Sequence, residues 1–349
     1  MRADDILILK SSEVDSLLAT REVEVMEITR RAYLAHADGD SSLPHSNFLR
    51  FPNNHGNRII ALPAYLGAEF GVAGLKWISS FPGNLESGQD RASAVLILNS
   101  AQTGRPQSII EASIISAKRT AASASLAAQQ LQGQNRASCV GLIGAGLISF
   151  EIARFLLAGC HEIRKLVVFD IEPERSEFFR TRCEHVFKGI EIEIADELGS
   201  VLSECPLISL ATTATHPHVT DLSRCRPGST ILHISLRDLA PEVILSCANI
   251  VDDIDHVCRA ETSIHLAEQR VGHRDFIRGT LADVLNGSIA PRRDPEDILV
   301  FSPFGLGVLD VALGNFVREL ALKENLGTVI NSFLPEPWSE RNDGRPSQQ

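Results

Sequence analysis

Hydrophobic positions follow two rhythms along this chain. Ile6–Leu9 is a short apolar run that predicts a strand. Ser11 or Ser12 then opens a helical spacing at Val14, Leu17 and Leu18, resumed from Val23 to Ala35. Residues 39–58, rich in Asn, Pro, Gly and His, predict loop with extended pieces. Ile59–Pro63, Gly71–Ile78 and Ser93–Asn99 predict strands of one sheet, with turns at Leu66-Gly67, Phe81-Pro-Gly-Asn84 and Gly88. Ile109–Gln132 is dense in Ala and Ser, with Lys118 and Arg119 almost its only charges. That composition predicts a helix against which other backbones can pack closely. From Ser138 to about Val300 strands and helices alternate: Leu166–Phe169, Glu191–Ile194, Leu207–Ala211, Thr230–Ile234 and Ile250–Val251 as strands, Pro173–Phe187 as helix. The pattern predicts a doubly wound α/β sheet. A helix from about Val308 to Lys323 is expected to return to the first domain, which makes that domain discontinuous. The expected domains are 1–125 with 305–349, and 126–304 between them. Residues 339–349 are polar and expected to fray.

The second domain opens on Cys139-Val-Gly-Leu-Ile-Gly-Ala-Gly-Leu-Ile148, an apolar run broken by Gly144-Ala-Gly146 and continued as a helix. Strand, glycine turn and helix in this order form a Rossmann-type dinucleotide fingerprint. Gly144 permits a sharp turn, and Gly146 lets backbone approach a pyrophosphate at the helix N-terminus. The third glycine is replaced by Ser149. Asp170 ends the second strand, 24 residues past Gly146, where a carboxylate pairs with ribose hydroxyls and repels a 2′-phosphate. The expected cofactor is therefore NAD.

Forty-four acidic against 33 basic residues give a net charge of −11, which argues against nucleic acid or an anionic membrane as partner. The seven cysteines include no Cys-x-x-Cys pair and suit neither a zinc site nor a disulfide framework. The first residues lack signal-peptide architecture and no apolar run is long enough to span a bilayer, so a cytoplasmic protein acting on a small molecule is expected.

Several residues could carry chemistry. Lys76 lies within an apolar strand, either snorkelling from a sheet edge or clamping a substrate group. Arg119, on the Ala/Ser helix, suits bidentate capture of a carboxylate or phosphate. Asp238 follows a strand at the end where open α/β sheets bind ligands, or else it caps the helix around Glu242–Leu245. Thr212 and Thr213 follow another strand and either meet cofactor or cap a turn. His216 and His218 form a short pair without a third metal ligand, and His233 reads as a core residue.

Together, Leu62-Pro-Ala64, Gly74-Leu-Lys76, Lys118-Arg-Thr-Ala-Ala122, Gly144-Ala-Gly146 and Asp238 before Pro241 resemble the ornithine cyclodeaminase/μ-crystallin family. The resemblance runs from Ile8 to about Leu320. It implies a Rossmann domain joined to an α/β substrate and dimerisation domain, a homodimer, and NAD between the domains. It also implies Lys76 on a substrate carboxylate, Arg119 on substrate or cofactor phosphate, and Asp238 as catalytic acid/base. Gly144, Gly146, Leu147, Ile148, Asp170, Thr212, Thr213 and Ser235 would contact cofactor. Lys76-Trp-Ile-Ser-Ser-Phe-Pro-Gly-Asn84 and His233-Ile-Ser-Leu-Arg-Asp-Leu-Ala-Pro241 are similar to a branch of dehydrogenases acting on N-substituted glutamates. Where cyclodeaminases carry a glutamate and a threonine, this chain has Ile60 and Arg91, and their early arginine aligns nearest to Ser46, with Arg50 close by. An acid lost and a cation gained favour an anionic substrate, with Lys76, Arg50, Arg91, Arg119 and Arg237 as candidate partners. Cyclodeaminase, cyclic-imine or keto-acid reductase, and a nonenzymatic NADPH-binding protein are the alternatives.

Overall fold

The computed structural model describes residues 2, 4–132, 136–335 and 338. Two sheets of eight strands each form the frame. The first runs Thr328–Ile330, Ile6–Leu9, Pro106–Glu111, Ala94–Ser100, Val72–Ser80, Asn54–Leu66, with Ser41–Ser42 and Asn47–Phe51 both paired to Asn54–Leu66. Only Ile6–Leu9 and Pro106–Glu111 are parallel in it. The second is wholly parallel, in the order Glu191–Ile194, Lys165–Phe169, Cys139–Ile143, Leu207–Leu210, Thr230–His233, Leu299–Ser302, Ala248–Val251, Ile277–Thr280. That is the doubly wound sheet expected.

Some elements depart from the sequence expectation. Residues 39–58 hold strands, because Asn47–Phe51 and Asn54–Leu66 pair with each other although Asn, Gly and Arg residues interrupt the apolar positions there. Ile109–Glu111 belongs to the strand Pro106–Glu111, and the Ala/Ser helix begins at Ser113. The strands Ile277–Thr280 and Leu299–Ser302 complete the parallel sheet. The expected polar tail, 339–349, lies outside the described residues.

The helix Ser113–Leu131 joins the two halves. It packs against the helices Glu22–Ala37, Leu147–Gly159 and Gly307–Glu324, and Ala121, Ala122, Ala124, Ala127 and Ala128 are all buried. Small side chains make this possible: a Cβ on Gly159 would stand 2.7 Å from the Ser125 hydroxyl, which itself donates to Phe155 O at 2.9 Å. The buried pair Lys118–Glu151, at 3.6 Å, adds a polar tie between the same helices. One apolar core, from Leu7 and Leu98 to Leu142 and Phe301, therefore passes through both sheets. The expected domain boundary at 125/126 falls inside this shared helix.

Candidate active site

The glycine turn joins the strand Cys139–Ile143 to the helix Leu147–Gly159. Gly144 has φ +94°, and a Cβ there would stand 2.6 Å from Ala211 O, so a side chain is excluded twice over. In front of Gly146, by contrast, a Cβ would meet only Arg175 at 3.9 Å. That open space lies at the helix N-terminus, beside the exposed Leu147. Ser149 replaces the third glycine without a void: it is fully buried and its hydroxyl donates to Gly144 O. Asp170 accepts from Ala145 N–H at 2.7 Å and Glu172 N–H at 3.1 Å, with Arg175 Nε at 3.6 Å. It thus braces the turn while standing at the end of the second strand. These residues fit a dinucleotide.

The second feature is a buried ionic unit. Lys76 lies on an interior strand and is 1% exposed, so it does not snorkel. Its Nζ is 2.7 Å from Asp310 Oδ2 and donates to Ser116 Oγ at 3.1 Å. Arg119 Nε donates to the other oxygen of Asp310 at 3.1 Å. Burial pulls the Lys76 ammonium down to about 8, although Asp310 opposes the shift. Two cations thus share one fully buried carboxylate, and the unit carries a net positive charge. Asp310 is absent from the sequence-derived site. Its signal was present, a lone acid within the apolar helical run Val308–Leu313. Gly305, φ +92°, lies flat on the Arg119 guanidinium, where a Cβ would stand 2.8 Å from Nη1. That loop is tied down by the buried Asp252, which accepts from Gly305 N–H at 2.7 Å and Phe304 N–H at 2.8 Å.

The third feature surrounds Asp238, five residues beyond the strand Thr230–His233. The helix Pro241–Leu245 is capped by Ala240, so the capping role is not Asp238's. Its fully buried carboxylate is met by the hydroxyls of Thr212 and Ser235 and by His218 Nε2 at 3.1 Å. Its backbone N–H donates to His233 Nε2 at 3.2 Å, and the other nitrogen of that ring reaches Ser302 Oγ at 3.1 Å. Burial pushes the Asp238 carboxyl up, but the bond from His218, the His233 ring 3.3 Å away and the Ser235 hydroxyl outweigh it and hold the group well below the usual carboxylate range. Thr212 and Ser235, expected on cofactor, are therefore engaged with Asp238, while Thr213 is exposed. His218, read from sequence only as half of a weak metal pair, keeps 41% of its side chain exposed while holding Asp238. Leu236, with φ +70°, is a non-glycine residue in left-handed backbone two positions before Asp238.

Arg50 and Arg91 lie farther along the first sheet. Arg50 stands directly opposite Arg58, Arg58 opposite Ser80, and Arg91 Nη1 donates to Ser80 Oγ at 2.9 Å. Arg58 was not among the sequence candidates.

Residues 5–325 match the ornithine cyclodeaminase/mu-crystallin family. An N-((2S)-2-amino-2-carboxyethyl)-L-glutamate dehydrogenase of Staphylococcus aureus is 27% identical over 335 residues, covering 94% of this chain and 99% of that protein. The structure of Thermococcus litoralis Δ1-pyrroline-2-carboxylate reductase in complex with NADH and L-proline superimposes with a TM-score of 0.86 at 25% identity, over 93% of this chain and 99% of that one. An archaeal alanine dehydrogenase dimer with bound NAD gives 0.84 at 28% identity, over 94% and 99%.

Proposed function

The chain belongs to the ornithine cyclodeaminase/mu-crystallin family, and from that premise we propose an NAD-dependent oxidoreductase acting on the CH–NH group of N-(2-amino-2-carboxyethyl)-L-glutamate. The reaction consumes that secondary amine, water and NAD and releases 2-oxoglutarate, L-2,3-diaminopropionate, NADH and a proton. Diaminopropionate would serve a siderophore or peptide product. The observation that carries the reading is the buried Lys76–Asp310–Arg119 unit, whose net positive charge calls for an anionic substrate group. Relatives acting on amino and imino acids support the chemistry.

Gly144, Gly146, Leu147, Ile148 and Asp170 would hold NAD, which supplies the hydride acceptor when bound. Lys76 and Arg119 take a carboxylate of the glutamate moiety and neutralise their own excess charge. Each charge-assisted hydrogen bond contributes about 1.5–3 kcal/mol. Oxidation at the substrate α-carbon leaves a C=N bond, whose hydrolysis needs a proton taken from water and one given to the departing amine. Asp238 is ionised and fully buried, and its contact with His218 Nε2 at 3.1 Å orients that imidazole. The exposed imidazole of His218 is the group that exchanges those protons.

Assembly belongs to the same proposal. Leu49, Ile59, Ala61, Tyr65, Trp77 and Val95 share the sheet face opposite Lys76, since they lie in directly paired or alternate positions. Leu49, Tyr65 and Trp77 are exposed. A homodimer through residues 1–120 covers this face.

The test follows NADH absorbance and 2-oxoglutarate together on N-(2-amino-2-carboxyethyl)-L-glutamate. Equimolar appearance is expected; NADH without matching 2-oxoglutarate refutes hydrolytic cleavage. A cyclic-imine reductase would instead consume NADH with pyrroline-2-carboxylate.

A further inference from the structure

The cations of the first sheet are not spread evenly. Arg50, Arg58 and Ser80 form one cross-strand row on the face that also carries Lys76, because directly opposed residues of antiparallel strands point the same way. Arg91 reaches the same row through Ser80. Ser80 is four residues beyond Lys76 on one strand, which places the row about 13 Å from the buried lysine. Burial makes the half-buried Arg58 harder to keep charged, and the charges of Arg237, from the parallel-sheet half, and of Arg91 and Arg50 add to that. The surroundings of Arg237 include Glu261 and Asp238 as well as Arg50. Arg237 is held firmly: it donates to Ala260 O at 2.7 Å, and Leu236 O accepts from Ser263 N–H at 2.7 Å. Leu236, Ala260 and Glu261 all have left-handed backbone, so two strained loops clasp each other to position this guanidinium. Among the described residues none of the four arginines makes an ion pair, and Arg58 Nε is buried without a hydrogen-bond partner. Like charges set directly opposite each other destabilise a sheet. The arrangement is explained by an anion that the chain itself does not supply.

We propose that Arg58, Arg91 and Arg237, with Arg50 at the rim, form a second anion subsite that takes the far carboxylates of a polycarboxylate substrate. The assignment rests on the reading of the site as an amino-acid oxidoreductase. It makes the substrate a molecule anchored at both ends, by Lys76 and Arg119 at one and by the arginine row at the other, with the reacting carbon between.

The test uses the full chain with NAD bound, and citrate as a non-reacting tricarboxylate against acetate at matched ionic strength. Calorimetry should show citrate binding to the wild type, with about tenfold or greater loss in Arg58→Met and in Arg237→Met. NAD affinity should be unchanged. The unliganded melting temperature of Arg58→Met should be equal or higher, since a repulsion is removed; a purely structural role would lower it. Unaltered citrate affinity in both variants, no citrate binding by the wild type, or a loss of NAD affinity in its place overturns the subsite. If citrate behaves as expected but no secondary amine yields NADH, the subsite stands and the proposed reaction falls.

Discussion

Burial brings the Lys76 ammonium to about 8, against 10.5 for a lysine in water. A carboxylate is captured by the charged form, so kcat/KM should fall as pH rises through about 8, while NAD binding stays flat between pH 7 and 9. A rate profile without an alkaline limb below pH 9 would show that Lys76 is not a carboxylate ligand. The stability sign is opposite. Between about 8 and 10.5 the unfolded chain binds more protons at this group, so its contribution to stability rises with pH across that window. Asp238 tests the proton relay. Asp238→Asn replaces the carboxylate that orients His218, and turnover should drop by about 10²–10⁴-fold with NAD affinity nearly intact. Unimpaired turnover would remove Asp238 from the mechanism.

Among the elements, the loop before the helix Gly307–Glu324 couples the two sheets most directly. Asp252 at the end of one strand fixes Gly305, Gly305 supports Arg119, and Asp310 on the following helix holds both Arg119 and Lys76. A methyl group at residue 305 meets unfavourable backbone and the guanidinium together. Gly305→Ala should cost about 1 kcal/mol or more in stability, and it should raise the substrate KM more than it lowers kcat. Thermal melts and initial rates check this; an unchanged KM would show that Arg119 does not depend on the loop.

For the molecule as a whole, the proposed homodimer would form through the uncovered face of the first sheet. Trp77 is 38% exposed at the centre of that face, between Ala61 and Val95 on the neighbouring strands. An apolar patch of this kind on a protein surface marks an interaction site. Light scattering should give a dimer at micromolar concentration, and Trp77→Glu should shift it to monomer. A monomeric wild type would contradict the proposed interface.

Periodicity and turn chemistry were enough to read the parallel sheet, the glycine turn with Asp170, and the small-residue helix that carries Arg119. Each is specified by residues adjacent in the chain, through local sterics and a repeating apolar face. Lys76 and Asp238 could also be singled out, as charges standing in or just after apolar strands. What surrounds them could not. Asp310 is 234 positions from Lys76, His218 is 20 from Asp238, and Arg58 stands opposite Ser80 from 22 residues away. Pairing at such separations follows from strand register and helix packing, which place charges by burial and not by spacing. The sequence by itself determined a dinucleotide fold and singled out its cations. Only the tertiary structure decided which carboxylate those cations share, which imidazole meets solvent beside Asp238, and that the arginines line up in one row.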